Sequence, residues 1–139
     1  MHSLKPHILM FFGMFLISLL MSPIMINSLA DYRLSLNQLY MASFMGFSMV
    51  LLEATMHPMP VAAWLITVIG MILSIIAYRS QWLVGDREYL NDMIPHHSMA
   101  VLTSRTRLER TTDRRIKQVA ETILNAQVKE IALMKLLTS

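Results

Sequence analysis

The sequence contains no cysteine and little glycine or proline, with 4 Gly and 5 Pro among 139 residues. The lack of thiols excludes disulfides, thiolate metal sites and cysteine nucleophiles. No glycine-rich phosphate loop or nucleophile elbow occurs, so phosphoryl and acyl transfer have no support. A soft metal ion could therefore be held only by methionine sulfur, and methionine is abundant, with 14 residues.

Charged side chains are scarce before Tyr78, where the only ones are Lys5, Asp31, Arg33 and Glu53. The rest of the chain carries ten of its twelve Lys and Arg residues, and acidic residues lie between them. The net charge of +3 forms no contiguous basic patch, which argues against a nucleic-acid partner. This division predicts a membrane domain over residues 1–82 and a water-exposed domain over residues 86–139.

Three apolar runs, at about residues 8–28, 39–56 and 61–79, predict helices that cross a lipid bilayer. Each is long enough to span a hydrocarbon core of roughly 30 Å. The first is interpreted as a retained helix rather than a cleaved signal peptide, since two further apolar runs follow it. The two prolines of the His57-Pro58-Met59-Pro60 stretch predict a tight turn between the second and third helices.

After Gly85 the apolar residues recur at helical spacing in two stretches, which meet near residues 109–113. Thr112 or Asp113 is a plausible N-cap of the second stretch. The short connection predicts an antiparallel helical hairpin, and the fold class is therefore all-α. Two amphipathic helices cannot enclose a core, so we expect two hairpins to form a four-helix bundle in a homodimer or larger homo-oligomer, or the hairpin to pack on another subunit.

The residues that could carry chemistry lie at the start of this hairpin, in Asp92-Met93-Ile94-Pro95-His96-His97-Ser98-Met99. Helical spacing places Met93 one turn before the two histidines and Met99 one turn after His96. Imidazole and thioether without thiolate suit copper, particularly Cu(I). The alternative is that the histidines merely cap the helix or face solvent.

Folding the hairpin about its loop predicts which residues of the second helix face this cluster. The expected pairs are Met93 with Gln127 and Tyr89 with Glu130, with Met134 one turn beyond. Gln127, Glu130 and Met134 would then offer an amide, a carboxylate and a thioether as outer ligands or as supporting partners of the histidines, and Asp92 beside the cluster is a further supporting residue. The alternatives are that Met134 packs in the core and that Gln127 and Glu130 are solvated.

These stretches, together with Ala120-x-x-Ile123-x-x-x-Gln127-x-x-Glu130-Ile131-x-x-Met134, resemble the two signatures of the domain-of-unknown-function-305 family. The resemblance covers about residues 86–137 and extends more loosely to a membrane-anchored subset with a Met-rich helix. It implies half of a ferritin-like helical bundle and a role in copper binding outside the cytoplasm. It also implies metal contacts at Met93, His96, His97 and Met134.

The leading hypothesis is a non-enzymatic, membrane-anchored copper protein that sequesters or relays the ion, in a bacterial inner membrane with the hairpin in the periplasm. The rival hypothesis is a structural or assembly subunit of a larger membrane complex. A di-iron enzyme is third, because the chain lacks a Glu-x-x-His pair. Methionine stripes on the first two helices, and His57 with Met59, are weaker copper candidates, since thioethers commonly fill helix interfaces.

Overall fold

A computed structural model describes residues 4–139, which form five α-helices and no strand. The helices are α1 (Lys5–Met25), α2 (Leu36–Met56), α3 (Val61–Arg79), α4 (Asp86–Arg110) and α5 (Arg114–Thr138). The predicted all-helical class is confirmed. By length and composition, α1, α2 and α3 are each able to cross a membrane.

The ends of α1 and α2 differ from the expected positions for local reasons. The first helix stops at Met25 instead of continuing to residue 28, because Ser28 caps a short 3-10 turn, Leu29–Asp31, and accepts a hydrogen bond from the Ala30 amide at 3.3 Å. The second begins at Leu36, earlier than residue 39. Its first turn tolerates the polar Asn37 because the amide groups of Asn37 and Gln81 bond to each other at 3.2 and 3.3 Å.

The chain divides into two compact units, and the apolar unit contains residues 4–21 and Leu36–Val84. Glycines within it accommodate aromatic rings. A Cβ atom added at Gly46 or Gly70 would lie less than 3.0 Å from the ring of Phe11 or Phe47, respectively. These two positions therefore require glycine for close packing, as small residues commonly do between apolar helices.

The hairpin unit contains Ser22–Ser35 and Gly85–Ser139. Its helices α4 and α5 pack against each other around a core formed by Ile94, Val101, Ile131 and Met134. The Asp113 carboxylate accepts a 2.8 Å hydrogen bond from the Arg115 amide and so caps the start of α5. Pro95 lies within α4 without ending it, although it has no amide to donate to the carbonyl of Asn91.

Candidate functional site

The centre of the candidate site is a contact between the two helices of the hairpin, from His97 on α4 to Glu130 on α5. The Nδ1 atom of His97 lies 3.1 Å from a carboxylate oxygen of Glu130. This separation is that of an ion pair, but the contact does not have the geometry of a hydrogen bond, and Nδ1 is buried with no hydrogen-bond partner among residues 4–139. His97 thus holds a shielded nitrogen beside a carboxylate that is half exposed.

His96 precedes this residue on α4 but faces solvent. The centroids of the two imidazole rings are 6.2 Å apart, and their planes are inclined by 57°. Consecutive helical residues point about 100° apart, which explains why one ring reaches α5 and the other does not. The two histidines are therefore neighbours with different surroundings.

The methionines expected around the histidines contribute to packing. Met134 is 7% exposed and belongs to the hairpin core, and Met93 is partly buried against the same core. Met99 is half-buried on α4. The packing that was weighed as the alternative for Met134 is therefore what the structure contains, and Met93 shares it.

The pairing of α4 with α5 differs from the expected register. Glu130 contacts His97 instead of lying opposite Tyr89, which is about two turns earlier on α4. The hairpin reverses at 111–113, at the end of the predicted stretch 109–113, and the residue of α4 that contacts Glu130 lies later in the chain than expected. Gln127 is half-buried on α5.

A second polar cluster, which the sequence did not indicate, involves Asp31 in the connection between α1 and α2. The buried Asp31 carboxylate accepts a 2.6 Å hydrogen bond from the Ser98 hydroxyl and forms an ion pair with the Lys135 ammonium group. The fully buried Ser98 also accepts a 3.0 Å bond from the Asn27 amide. The connection is therefore fixed to both helices of the hairpin, and the two must lie on the same side of any bilayer that α1 and α2 cross.

Asp92, which was expected to support the histidines, also serves this connection, because it accepts a hydrogen bond from the Ser35 hydroxyl. Near the start of the connection, the Arg105 guanidinium donates a hydrogen bond to the Asn27 side chain at 3.1 Å. No local pattern links residues so far apart in sequence. The one available signal was the presence of an acidic residue in a segment otherwise poor in charge.

Burial raises the pKa of Asp31, but hydrogen bonds from Lys135 and Ser98 and the positive charges of Lys135 and Arg33 lower it by more. The net effect is a pKa below the ordinary aspartate value, so Asp31 remains ionised at neutral pH. The folded state therefore gains stability from this carboxylate above pH 3.8 and loses it progressively as the pH falls through the lowered pKa.

The apolar unit contains a separate histidine–carboxylate pair. The Nδ1 atom of His57 lies 2.8 Å from the buried carboxyl group of Glu53, one turn earlier at the end of α2. Nε2 of the buried His7 lies 3.2 Å from the His57 carbonyl oxygen, which can only accept, so Nε2 is the donor. The group joins the first turns of α1 to the end of α2.

The residues of the hairpin fit a metal ion in part. Among residues 4–139, no three side chains of His, Asp or Glu lie together as a metal-holding group. One chain nevertheless brings the Nδ1 atom of His97 next to the Glu130 carboxylate, and Met93 packs against the core of the same hairpin. This donor set suits an ion that accepts nitrogen and sulfur ligands, and it requires further ligands.

Comparisons with known proteins agree with the helical hairpin. Residues 81–138 match the family described as "Domain of unknown function (DUF305)". An uncharacterized protein, L153, of Acanthamoeba polyphaga mimivirus is 40% identical over 109 residues, which cover 76% of this chain and 72% of the viral protein. Since this alignment is longer than the hairpin, it includes part of the apolar helices. No solved structure matches. The chain belongs to the DUF305 family.

Proposed function

We propose that this protein is a membrane-anchored, non-enzymatic copper-binding protein that sequesters or relays the ion. The observation that supports this function best is the buried Nδ1 atom of His97, which has no hydrogen-bond partner among the described residues and lies 3.1 Å from Glu130. Leaving a buried nitrogen without a hydrogen bond costs about 1–3 kcal/mol, and a bound ion would offset this cost. Three helices suited to crossing a bilayer would anchor the hairpin.

Each candidate ligand has a distinct part in this proposal. His97 provides a nitrogen donor whose position is fixed by packing, and the exposed His96 provides one that can reach an incoming ion. Met93, Met99 and Met134 supply thioethers, which favour Cu(I) over harder cations. Glu130 lies beside the same His97 nitrogen and would balance the positive charge of the ion. Gln127 and Asp92 are outer residues.

The decisive experiment is metal analysis of detergent-purified protein after loading with Cu(I) and removal of free ion. Wild-type protein is compared with the His96→Ala/His97→Ala double variant, with circular dichroism showing equal helix content. We expect stoichiometric copper in the wild type and at least a tenfold weaker affinity in the variant. Equal copper in both proteins, or none in either, would contradict the proposed function.

A second candidate function is that of a structural or assembly subunit. It is supported by the packing of Met93 and Met134 in the apolar core and by the hydrogen bonds that tie Asp31 and Asn27 to the hairpin. On this hypothesis the histidines only pack or respond to pH. A partner that copurifies in a fixed ratio, from protein that binds no copper, would favour this function.

We further propose that the hairpin lies outside the cytoplasm, in the periplasm of a bacterial inner membrane. Thioether and imidazole sites suit a compartment in which thiols do not compete for copper. Basic residues near the ends of membrane helices favour the cytoplasmic side. By this rule Lys5 favours a hairpin outside the cytoplasm, whereas Arg33 and Arg79 favour a hairpin inside it. A reporter fused after Ser139 tests the orientation, and activity confined to the cytoplasm would contradict it.

A further inference from the structure

The two sides of the hairpin differ in what covers them. On one side, the connection Ser22–Ser35 is fixed to Ser98 and Arg105 of α4. On the other side an open groove of about 290 Å³ runs between the helices. Its lining residues are Thr103, Ser104 and Arg107 of α4 and Ile116, Val119, Ala120 and Ile123 of α5.

This open face continues along α5 as a stripe of exposed residues spaced alternately three and four apart. Its members are Ile116, Val119, Ile123, Ala126, Glu130, Leu133 and Leu137. The exposed fraction of its large apolar residues ranges from 40% at Ile123 to 63% at Leu137. The spacing is the heptad pattern by which one helix packs against another. Glu130 is the one charged residue in the stripe.

A different stripe of α5 already packs against α4. It includes Ala120, Leu124, Ile131 and Met134, which belong to the hairpin core or adjoin it. At 3.6 residues per turn, the centres of the two stripes are roughly 100° apart around the helix axis. Each helix of a four-helix bundle contacts two neighbours at about this angle. The second stripe of α5 is therefore placed for another helix.

The hairpin also needs a second layer for its stability. Its two helices bury only five apolar side chains, those of Ile94, Val101, Ala120, Ile131 and Met134, whereas Leu133 and Leu137 remain more than half exposed. Two amphipathic helices do not bury enough surface to be stable alone. An apolar stripe this long on a water-exposed hairpin is typical of an interface.

We infer that the open face binds the same face of a second copy of this chain, and that the two hairpins form one four-helix bundle. Copies in one membrane share their orientation, so a two-fold axis normal to the bilayer relates them without strain. A lipid surface fits this face poorly, because the charged Glu130 lies within the stripe and the charged Arg107 lies at its end.

Residues of the candidate copper site lie on this face. His96 is exposed and precedes Thr103 of the groove by seven residues, which places both on one side of α4, and the exposed Glu130 contacts His97. An isologous interface contains every group twice, so the two copies supply the ligands that a single chain lacks. This consequence rests on the proposed copper function, whereas the interface itself does not. Copper would then be bound between two chains.

The first test uses the absence of cysteine in the natural sequence. Ala126→Cys places a thiol at the middle of the open stripe, and Val128→Cys, the matched control, places one at an exposed position on the other side of α5. Purified protein in detergent is treated with a short bis-maleimide. We expect a cross-linked dimer with Ala126→Cys and at least a fivefold smaller yield with Val128→Cys. Equal yields, or none in either variant, would overturn the inference and indicate lipid or another protein on this face.

The second test separates the interface from the copper site. Ile123→Asp introduces a charge at an exposed position of the stripe and leaves the candidate ligands intact. Light scattering should show a dimer in the wild type and a monomer in the variant at equal helix content, with copper affinity at least tenfold weaker. A monomeric wild type would overturn the inference. A monomeric variant with unchanged copper affinity would overturn the shared site but leave the proposed function standing. A wild-type dimer that binds no copper would contradict the proposed function but support the interface.

Discussion

The two histidine–glutamate pairs, one in each compact unit, have opposite patterns of exposure. In the hairpin, the His97 side chain is 20% exposed and that of Glu130 is 49% exposed. In the apolar unit, the Glu53 side chain is 4% exposed and that of His57 is 62% exposed. The same two residue types therefore bury the imidazole in one place and the carboxyl group in the other.

This difference separates a pair suited to binding from a pair suited to stability. A buried carboxyl group is costly unless a partner satisfies it, so Glu53 depends on His57. In the hairpin the carboxylate is solvated and depends little on its partner, whereas the shielded imidazole nitrogen lacks a directed bond. The hairpin pair is therefore the one whose imidazole nitrogen lacks a directed hydrogen bond that a ligand would have to displace.

The largest effect on stability is expected for His57→Ala. This change leaves the buried Glu53 without its imidazole partner and should lower the free energy of unfolding by about 2–3 kcal/mol. Thermal unfolding in detergent measures it. If dependence on the partner is the cause, adding Glu53→Gln to His57→Ala should recover more than half of the loss, and no recovery would contradict the comparison.

A smaller effect is expected for Lys135→Ala, which removes the ammonium group paired with the buried Asp31. The Lys135 side chain is 34% exposed, so solvent moderates the loss to about 1–2 kcal/mol. Lys129→Ala, at an exposed position of the same helix, is the matched control and should change stability little. Equal losses in both variants would mean that the Asp31 pair does not stabilise the hairpin.

The pH dependence of the same pair has a defined sign. Because the pKa of Asp31 is lowered in the folded protein, its contribution is present above pH 3.8 and decreases as the pH falls through the lowered value. The melting temperature of the wild type should therefore decline in acid more steeply than that of Asp31→Asn. Parallel curves for the two proteins would argue against a stabilising charge at this position.

In the hairpin pair, Glu130→Gln should weaken Cu(I) affinity by about tenfold and change stability little, because the side chain is half exposed. Competition with a Cu(I) chelator measures the affinity. Glu121→Gln, at another exposed carboxylate of α5, serves as the control. An unchanged affinity in Glu130→Gln would show that the carboxylate takes no part in binding.

Among the variants that remove a stabilising contact, the smallest loss of stability is expected for Asp113→Ala. Its ion pair with Arg115 is exposed to solvent, so the loss should come only from the missing cap at the start of α5. The pKa of Asp113 is lowered by hydrogen bonds from the Arg115 side chain and amide. Thermal unfolding should show a smaller loss than for Lys135→Ala, and a larger one would contradict the ranking by burial.

The helices were predictable because each follows from local sequence. Long apolar runs predicted α1 to α3, and helical spacing of apolar residues predicted α4 and α5. The ends were less predictable, since they depend on single contacts such as the Ser28 cap and the bond between Asn37 and Gln81. Such contacts decide where a helix ends without changing its pattern.

The candidate site was only partly predictable. His97 and Glu130 were among the expected residues, but their contact depended on the exact register of the two helices, which a predicted connection at 109–113 did not fix. The cluster of Asp31, Ser98 and Lys135 could not be predicted, because these residues share no local pattern and meet only after the connection folds onto the hairpin. The roles of the methionines as metal ligands and the oligomeric state stay predictions.

Pro95 has a consequence for the motion of the helix that carries the two histidines. Because this residue cannot donate to the Asn91 carbonyl, the hydrogen-bonded ladder of α4 is interrupted one residue before His96. We expect the first two turns of α4 to open more readily than the rest of the helix, by the kind of local unfolding that native proteins undergo. Amide hydrogen exchange should be faster before Pro95 than after it, and His96 would lie at the boundary between the two rates.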